Sequence, residues 1–204
     1  MAFPAYFARI PGITLYDPLA ELLGAPSDGL ITYHFADAVR VAGHACPTVA
    51  GAWLSTVHAL TGLYGDAVPE RGMIRVELPE LQSDGVSGVI ASIVSLLTGA
   101  AGIGGFKGLA GQFSRRNLLH FGIHGICGIR FTRLDSGQAV DCQLHLEKVP
   151  ADPRLSGLLQ RTLAGQASPE ERRLFGELWQ ARVEGILLGH RDDPALVTIH
   201  AIPR

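Results

Sequence analysis

Along residues 48–64 the apolar residues Val49, Trp53, Val57, Leu60 and Tyr64 recur at spacings of three and four. That period predicts an amphipathic helix, with Gly65 to end it. Residues 73–78, MIRVEL, alternate instead and predict a strand. The run that follows is apolar almost throughout and predicts a buried helix opened by Ser83-Asp84-Gly85 and closed near Gly99. A glycine-rich loop then leads to about Arg116, and residues 118–123 predict a second strand. A right-handed crossover through the intervening helix would set these two strands parallel.

Residues 126–134 and 139–148 read as a hairpin across Asp135-Ser136-Gly137-Gln138. Closing that turn between Leu134 and Ala139 sets Phe131 opposite Cys142, Ile129 opposite Leu144 and Cys127 opposite Leu146, an apolar face. The other face pairs Arg130 with Gln143 and Thr132 with Asp141 and is polar, so both strands agree on which side is buried. Earlier in the chain, Asp17-Pro18 and Gly24 bracket a short helix, and another is expected at residues 36–42. Past Pro150, Ser168-Pro169-Glu170-Glu171 forms a capping box. Phe175, Trp179, Val183 and Ile186 mark one face of the helix it opens, and residues 195–202 read as a last strand.

The order predicts an α+β fold: a helix-strand-helix-three-strand core with a mixed sheet over residues 30–150, an N-terminal arm over 1–29 and a helical extension over 151–204. With 47 % hydrophobic and 18 % charged residues, the chain has the make-up of a well-buried domain. A formal net charge of −2 leaves no electrostatic footprint for nucleic acid. Residues 86–106 carry no charge, but glycines crowd their second half, so a buried helix and loop is expected and not a membrane span. The first residues, MAFPAYFARIPG, are interrupted by prolines and arginine and do not form a secretory signal. Three cysteines without a CxxC favour a reducing compartment, and the expected location is the cytoplasm.

The chemistry concentrates at AGHACPTVAG, residues 42–51. Pro47 suits the first helical position and makes Cys46 the N-cap, where amides and the helix dipole favour a thiolate. His44, two residues back, offers an imidazole nitrogen. The two make a candidate metal pair, with His34 as a third ligand. If the strand at 73–78 runs antiparallel to the helix, its end brings Glu80, Ser83 and Asp84 toward Cys46, and the end of the next strand brings His124. Cys127 and Cys142 read as core residues, and His58 and His145 as solvated or hydrogen-bonded.

Two other readings compete. The loop GAAGIGGFKGLAGQFSRR fails the patterns of a Walker motif and of a dinucleotide fingerprint, yet Lys107, Arg115 and Arg116 beside its amides offer an anion site for a non-metal binding module. Cys46 with His44 as base would make a cysteine nucleophile, a weaker reading because neighbours on one turn rarely align for general-base activation.

GHACP followed by a small-residue helix resembles the GHxCPG signature of the FmdE-like family, proteins similar to a component of formylmethanofuran dehydrogenase. SDGVSGVIASIVSLLTG, GFKGL and NLLHFG with IRFTRLDSGQAV resemble that family's second helix, glycine-lysine turn and terminal strands, in order, over about residues 30–148. The resemblance implies the same α+β core and metal binding, commonly of zinc or another transition metal, at the positions of His44 and Cys46. A cytoplasmic homodimer that binds a small molecule or a redox-active cofactor is the expectation. The chain departs from the family at Ala42, where a second histidine is common, and at Ser83-Asp84-Gly85, where a cysteine is.

Overall fold

A computed structural model describes residues 3–203. After a 3-10 turn at Ala5–Arg9 the elements are β1 (Ile13–Tyr16), α1 (Pro18–Leu23), β2 (Leu30–Tyr33), α2 (Phe35–Ala42), α3 (Pro47–Tyr64), β3 (Ile74–Glu77) and α4 (Ser87–Thr98). The chain continues through β4 (Leu119–His120), β5 (Ile129–Arg133), β6 (Ala139–Leu144), α5 (Leu155–Leu163), α6 (Pro169–Glu184) and β7 (Val197–Ile202). A mixed sheet of order β4-β3-β5-β6-β7 makes this an α+β fold. β3 and β4 are parallel across α4, as the crossover argument predicts, and the other neighbours are antiparallel. β1 and β2 pair separately in a small antiparallel ribbon.

α3 is the centre of the molecule. It is buried around most of its circumference rather than along one stripe: Val49, Ala50, Ala52, Trp53, Leu54, Ala59 and Leu60 are each at most 2 % exposed. The amphipathic reading was too narrow because α2, α4 and the sheet pack on several sides of the helix at once. Gly51 permits one of these approaches. A Cβ there would stand 2.2 Å from Leu144 Cδ2, so a side chain at this position would force the Leu144 side chain to move.

The β5–β6 hairpin keeps its predicted faces but not its predicted register. Ile129 pairs with Cys142, Arg130 with Asp141 and Phe131 with Val140. The Arg133 amide donates to Gln138 O at 2.8 Å, so the turn closes one residue earlier on each strand and the pairing moves by two positions. A two-residue slip leaves each side chain on its own face, which is why polarity did not distinguish the alternatives. Ion pairs do: Arg130 is bidentate to Asp141 (2.6 and 2.9 Å), and Arg133 grips Asp135 inside the turn.

The C-terminal segment is more than a helical cover. α6 opens on the Ser168 capping box and runs into a π-helical turn, Gly185–Gly189, whose Ile186 and Leu187 are fully buried. β7 then pairs with β6 from Ala139↔Ile202 to Leu144↔Val197 and supplies the fifth strand. Among the described residues no helix is long and apolar enough to cross a membrane, and the apolar run after Asp84 becomes the twelve-residue α4.

Candidate functional site

Local backbone chemistry builds the turn between α2 and α3. Gly43, at φ +77°, ends α2 in the left-handed conformation that a glycine adopts without penalty. The chain passes through His44 and Ala45 to Cys46, which is extended (φ −144°, ψ 168°) and caps α3 with Pro47 at the first helical position. Cys46 Sγ accepts the Val49 amide at 3.5 Å, the contact expected of an N-cap sulfur, and the residue is 8 % exposed. His44 is exposed, and its Nδ1 lies 3.0 Å from Ala42 O. A carbonyl only accepts, so Nδ1 is the donor of this contact and Nε2 is the nitrogen left to face a ligand.

The residue between the two candidate donors is held from a distance in sequence. Ala45 O accepts from Trp179 Nε1 (3.0 Å) and from Gln180 Nε2 (3.3 Å), both on α6. Gln180 Oε1 in turn accepts the Tyr6 hydroxyl at 2.8 Å. Burial, reinforced by the charge of Glu184, raises the Tyr6 pKa well above the usual phenol range and keeps it a donor. In the sequence Trp179 reads only as a core residue; its indole N–H, which seeks a partner when buried, was the available signal.

The other predicted ligands lie elsewhere. His34 caps α2 with its amide donating to Asp37 Oδ2 at 2.8 Å, and its ring packs over Gly12, where a Cβ would lie 3.0 Å from ring atoms. The α2 helix separates the backbones of His34 and His44 by about 12 Å of axial rise. Asp84 accepts the Leu81 amide at 3.3 Å in the turn before α4, and His124 is exposed after β4. The end of β3 does return beside α3, but Glu80 shares a cavity with Ala52 and Ser55 and not with Cys46. Ala52 stands six residues, about 9 Å of axial rise, beyond Cys46. Among the described residues no three His, Cys, Asp or Glu side chains gather as a metal cluster would.

Cys142 is buried as expected, with its thiol donating to Ser55 O at 3.4 Å; burial pushes its pKa up to about 12, which leaves an inert thiol. Cys127 is exposed, contrary to the core reading. Its register position lies outside the ladder, because β5 begins only at Ile129, after Gly128 at φ +77°.

The three loop cations do not converge. Arg115 is 7 % exposed and donates to Asp17 Oδ1 at 2.7 Å, while Arg71 donates to Oδ2 at 2.9 Å. Asp17, which the sequence marks as the cap of α1, also accepts the Leu19 amide at 3.0 Å and so anchors α1, the segment before β3 and the glycine-rich loop at once. Gly72 makes room for this pairing, since a Cβ there would stand 1.3 Å from Arg115 Nη1. Lys107 and Arg116 remain on the exposed surface, the latter donating to Ile103 O at 3.0 Å. The central cation of the anion reading is thus already neutralised by a buried carboxylate. No protein-family model and no curated protein matches this chain.

Proposed function

We propose that this chain is a metal-binding protein of the FmdE-like type, with His44 and Cys46 as its protein donors. The observation that carries the reading is the orientation of His44: its Nδ1 is the donor to Ala42 O, so Nε2 of this exposed residue is left to face a ligand two residues from a sulfur held at a helix start. Metal-ligating histidines characteristically donate their second nitrogen in this way. An imidazole and a thiolate suit zinc or a neighbouring transition metal. A closed structural zinc site, which takes four protein ligands, does not fit two donors; an ion held here keeps positions for water or a small ligand. Bound in that state, a metal supplies Lewis acidity to whatever fills those positions. Three free cysteines support a reducing, cytoplasmic setting, and a homodimer belongs to the same reading.

The test is elemental analysis of the purified protein beside His44→Ala and Cys46→Ser. Serine keeps a capping oxygen, so loss of metal in that variant reports the sulfur and not the helix. Cobalt loading should add a thiolate-to-metal absorption band that Cys46→Ser abolishes. Full metal content in both variants would overturn the proposal.

A further inference from the structure

The five-stranded sheet has unequal edges. β4 is two residues long and offers little backbone to pair, whereas β7 forms the opposite edge with six residues. The His145 amide donates to Leu196 O at 2.8 Å, so these residues extend the β6–β7 ladder as a hydrogen-bonded pair. Alternation then turns the backbone groups of Thr198, His200 and Ile202 toward β6 and those of Val197, Ile199 and Ala201 away from it. The Val197 amide donates to Asp193 O at 3.3 Å. Among the described residues nothing bonds to the Val197 carbonyl or to the outward N–H and C=O groups of Ile199 and Ala201.

Nothing in β7 guards this edge. VTIHAI holds no proline, lysine, arginine or acidic residue, and its register with β6 runs without a bulge. Open backbone groups in this alternation select another strand, and β7 itself fits them. Antiparallel pairing about Ile199 sets Ile199 beside Ile199 of a second copy, and Val197 beside Ala201 of that copy, on the side facing α3, where a Cβ on Gly62 would lie 3.9 Å from Ile199 Cγ2. Thr198 then meets His200 on the other side, so apolar residues pair with apolar and polar with polar. The adjacent registers that keep the same backbone bonds lose this match: one sets His200 against Leu196, and the other sets Thr198 against Ile202 and His200 against itself. Hollows of about 340 Å³ beside Val197 and Ile199 and of about 260 Å³ beside Ala201 and Ile202 flank the strand, where the two ends of a second β7 would lie.

We propose that β7 is a homodimer seam: two copies join edge to edge, antiparallel about Ile199, and their five-stranded sheets become one continuous sheet. The backbone bonds across the seam are a reciprocal pair between the two Ile199 residues and one from each Ala201 amide to Val197 O of the other copy. The proposal rests on the homodimer of the functional reading and gives it a place. β7 lies beyond residues 30–148, which carry the family resemblance, so the seam belongs to this chain's own extension.

Sedimentation equilibrium of the whole chain should give twice 21.7 kDa. Ala201→Pro, at an exposed position whose amide faces away from β6, should keep a cooperative melt and fall to 21.7 kDa, because an edge strand tolerates proline but proline cannot donate across the seam. Ala201→Ser keeps the amide and should stay dimeric. In a Cys127→Ser background, which removes the exposed native thiol, Ile199→Cys should form an intermolecular disulfide under mild oxidation, since Cα atoms of such a pair stand about 5.5 Å apart. Thr198→Cys and His200→Cys in the same background should not. A monomeric wild type would overturn the seam and the homodimer together. A dimer that withstands Ala201→Pro, or crosslinking at Thr198 or His200 in place of Ile199, would overturn the seam and leave the homodimer standing. The cysteine series decides alone if the proline variant does not fold, and metal content, measured separately, bears on neither outcome.

Discussion

At the scale of single residues, the strongest electrostatic commitment is Asp17 between Arg71 and Arg115. A carboxylate 4 % exposed is tolerable only with its charge answered, and here two guanidinium groups and a helix-start amide answer it. Removing one partner of such a group leaves the others buried and unpaired. Asp17→Ala should therefore lower the unfolding free energy by about 3–5 kcal/mol, read from urea denaturation. A loss below about 1 kcal/mol, the range of exposed pairs, would show that solvent already screens the cluster. Asp141 makes a second, pH-dependent commitment. Burial works to raise its pKa, but hydrogen bonds from Arg130 and the Cys127 amide outweigh burial and hold the group below the usual carboxylate range. A folded pKa below the unfolded value means stability that is present above the unfolded pKa, near 4, and lost as pH falls through the folded one. Asp141→Asn should accordingly flatten the fall in melting temperature below pH 4, and an unchanged acid limb would place the titration elsewhere.

Elements record where sequence pattern suffices. Caps were legible because they are local: Asp17 before Pro18, Cys46 before Pro47 and Ser168 before Pro169 each start a helix as their side chains dictate. The hairpin register was not, because sliding by two residues preserves every inside and outside assignment. What selects the observed register is the ion pairing of Arg130 with Asp141, a contact invisible to polarity alone. The β1–β2 ribbon was hidden for another reason: its four-residue strands are separated by α1, so neither a short turn nor a long alternation announces it. At Gly51 the sequence showed only a small residue, whereas the fold shows a contact with Leu144. Gly51→Val should cost about 1–3 kcal/mol by overpacking against β6, measured by thermal or denaturant unfolding. Restoration by Leu144→Ala in the double variant would assign the cost to that contact.

Across the whole molecule, distant segments complete what local pattern begins. His44 and Cys46 are near neighbours in sequence, yet the carbonyl between them is held by α6, which in turn is tied to Tyr6 near the other end of the chain. Long-range closure of this kind has no periodic signature, so the candidate donors were readable and their support was not. The same holds for the sheet. Residues 151–204 read as an added cover ending in a strand; that strand forms, but it belongs to the core sheet, for β7 pairs with all six residues of β6 and Leu196 and Val197 enter the core. Deleting residues 195–204 would strip both hydrophobic anchors and leave β6 as an open edge of unpaired amides and carbonyls, the geometry that invites strand addition from another chain. The truncated chain should lose its cooperative unfolding transition and elute as aggregate in size-exclusion chromatography. If it instead eluted at the position of the intact protein with an unchanged melting temperature, the C-terminal strand would be an ornament on a core that closes without it. The burial of Leu196, Ile186 and Leu187 at 0 % exposure argues that the core does not close that way.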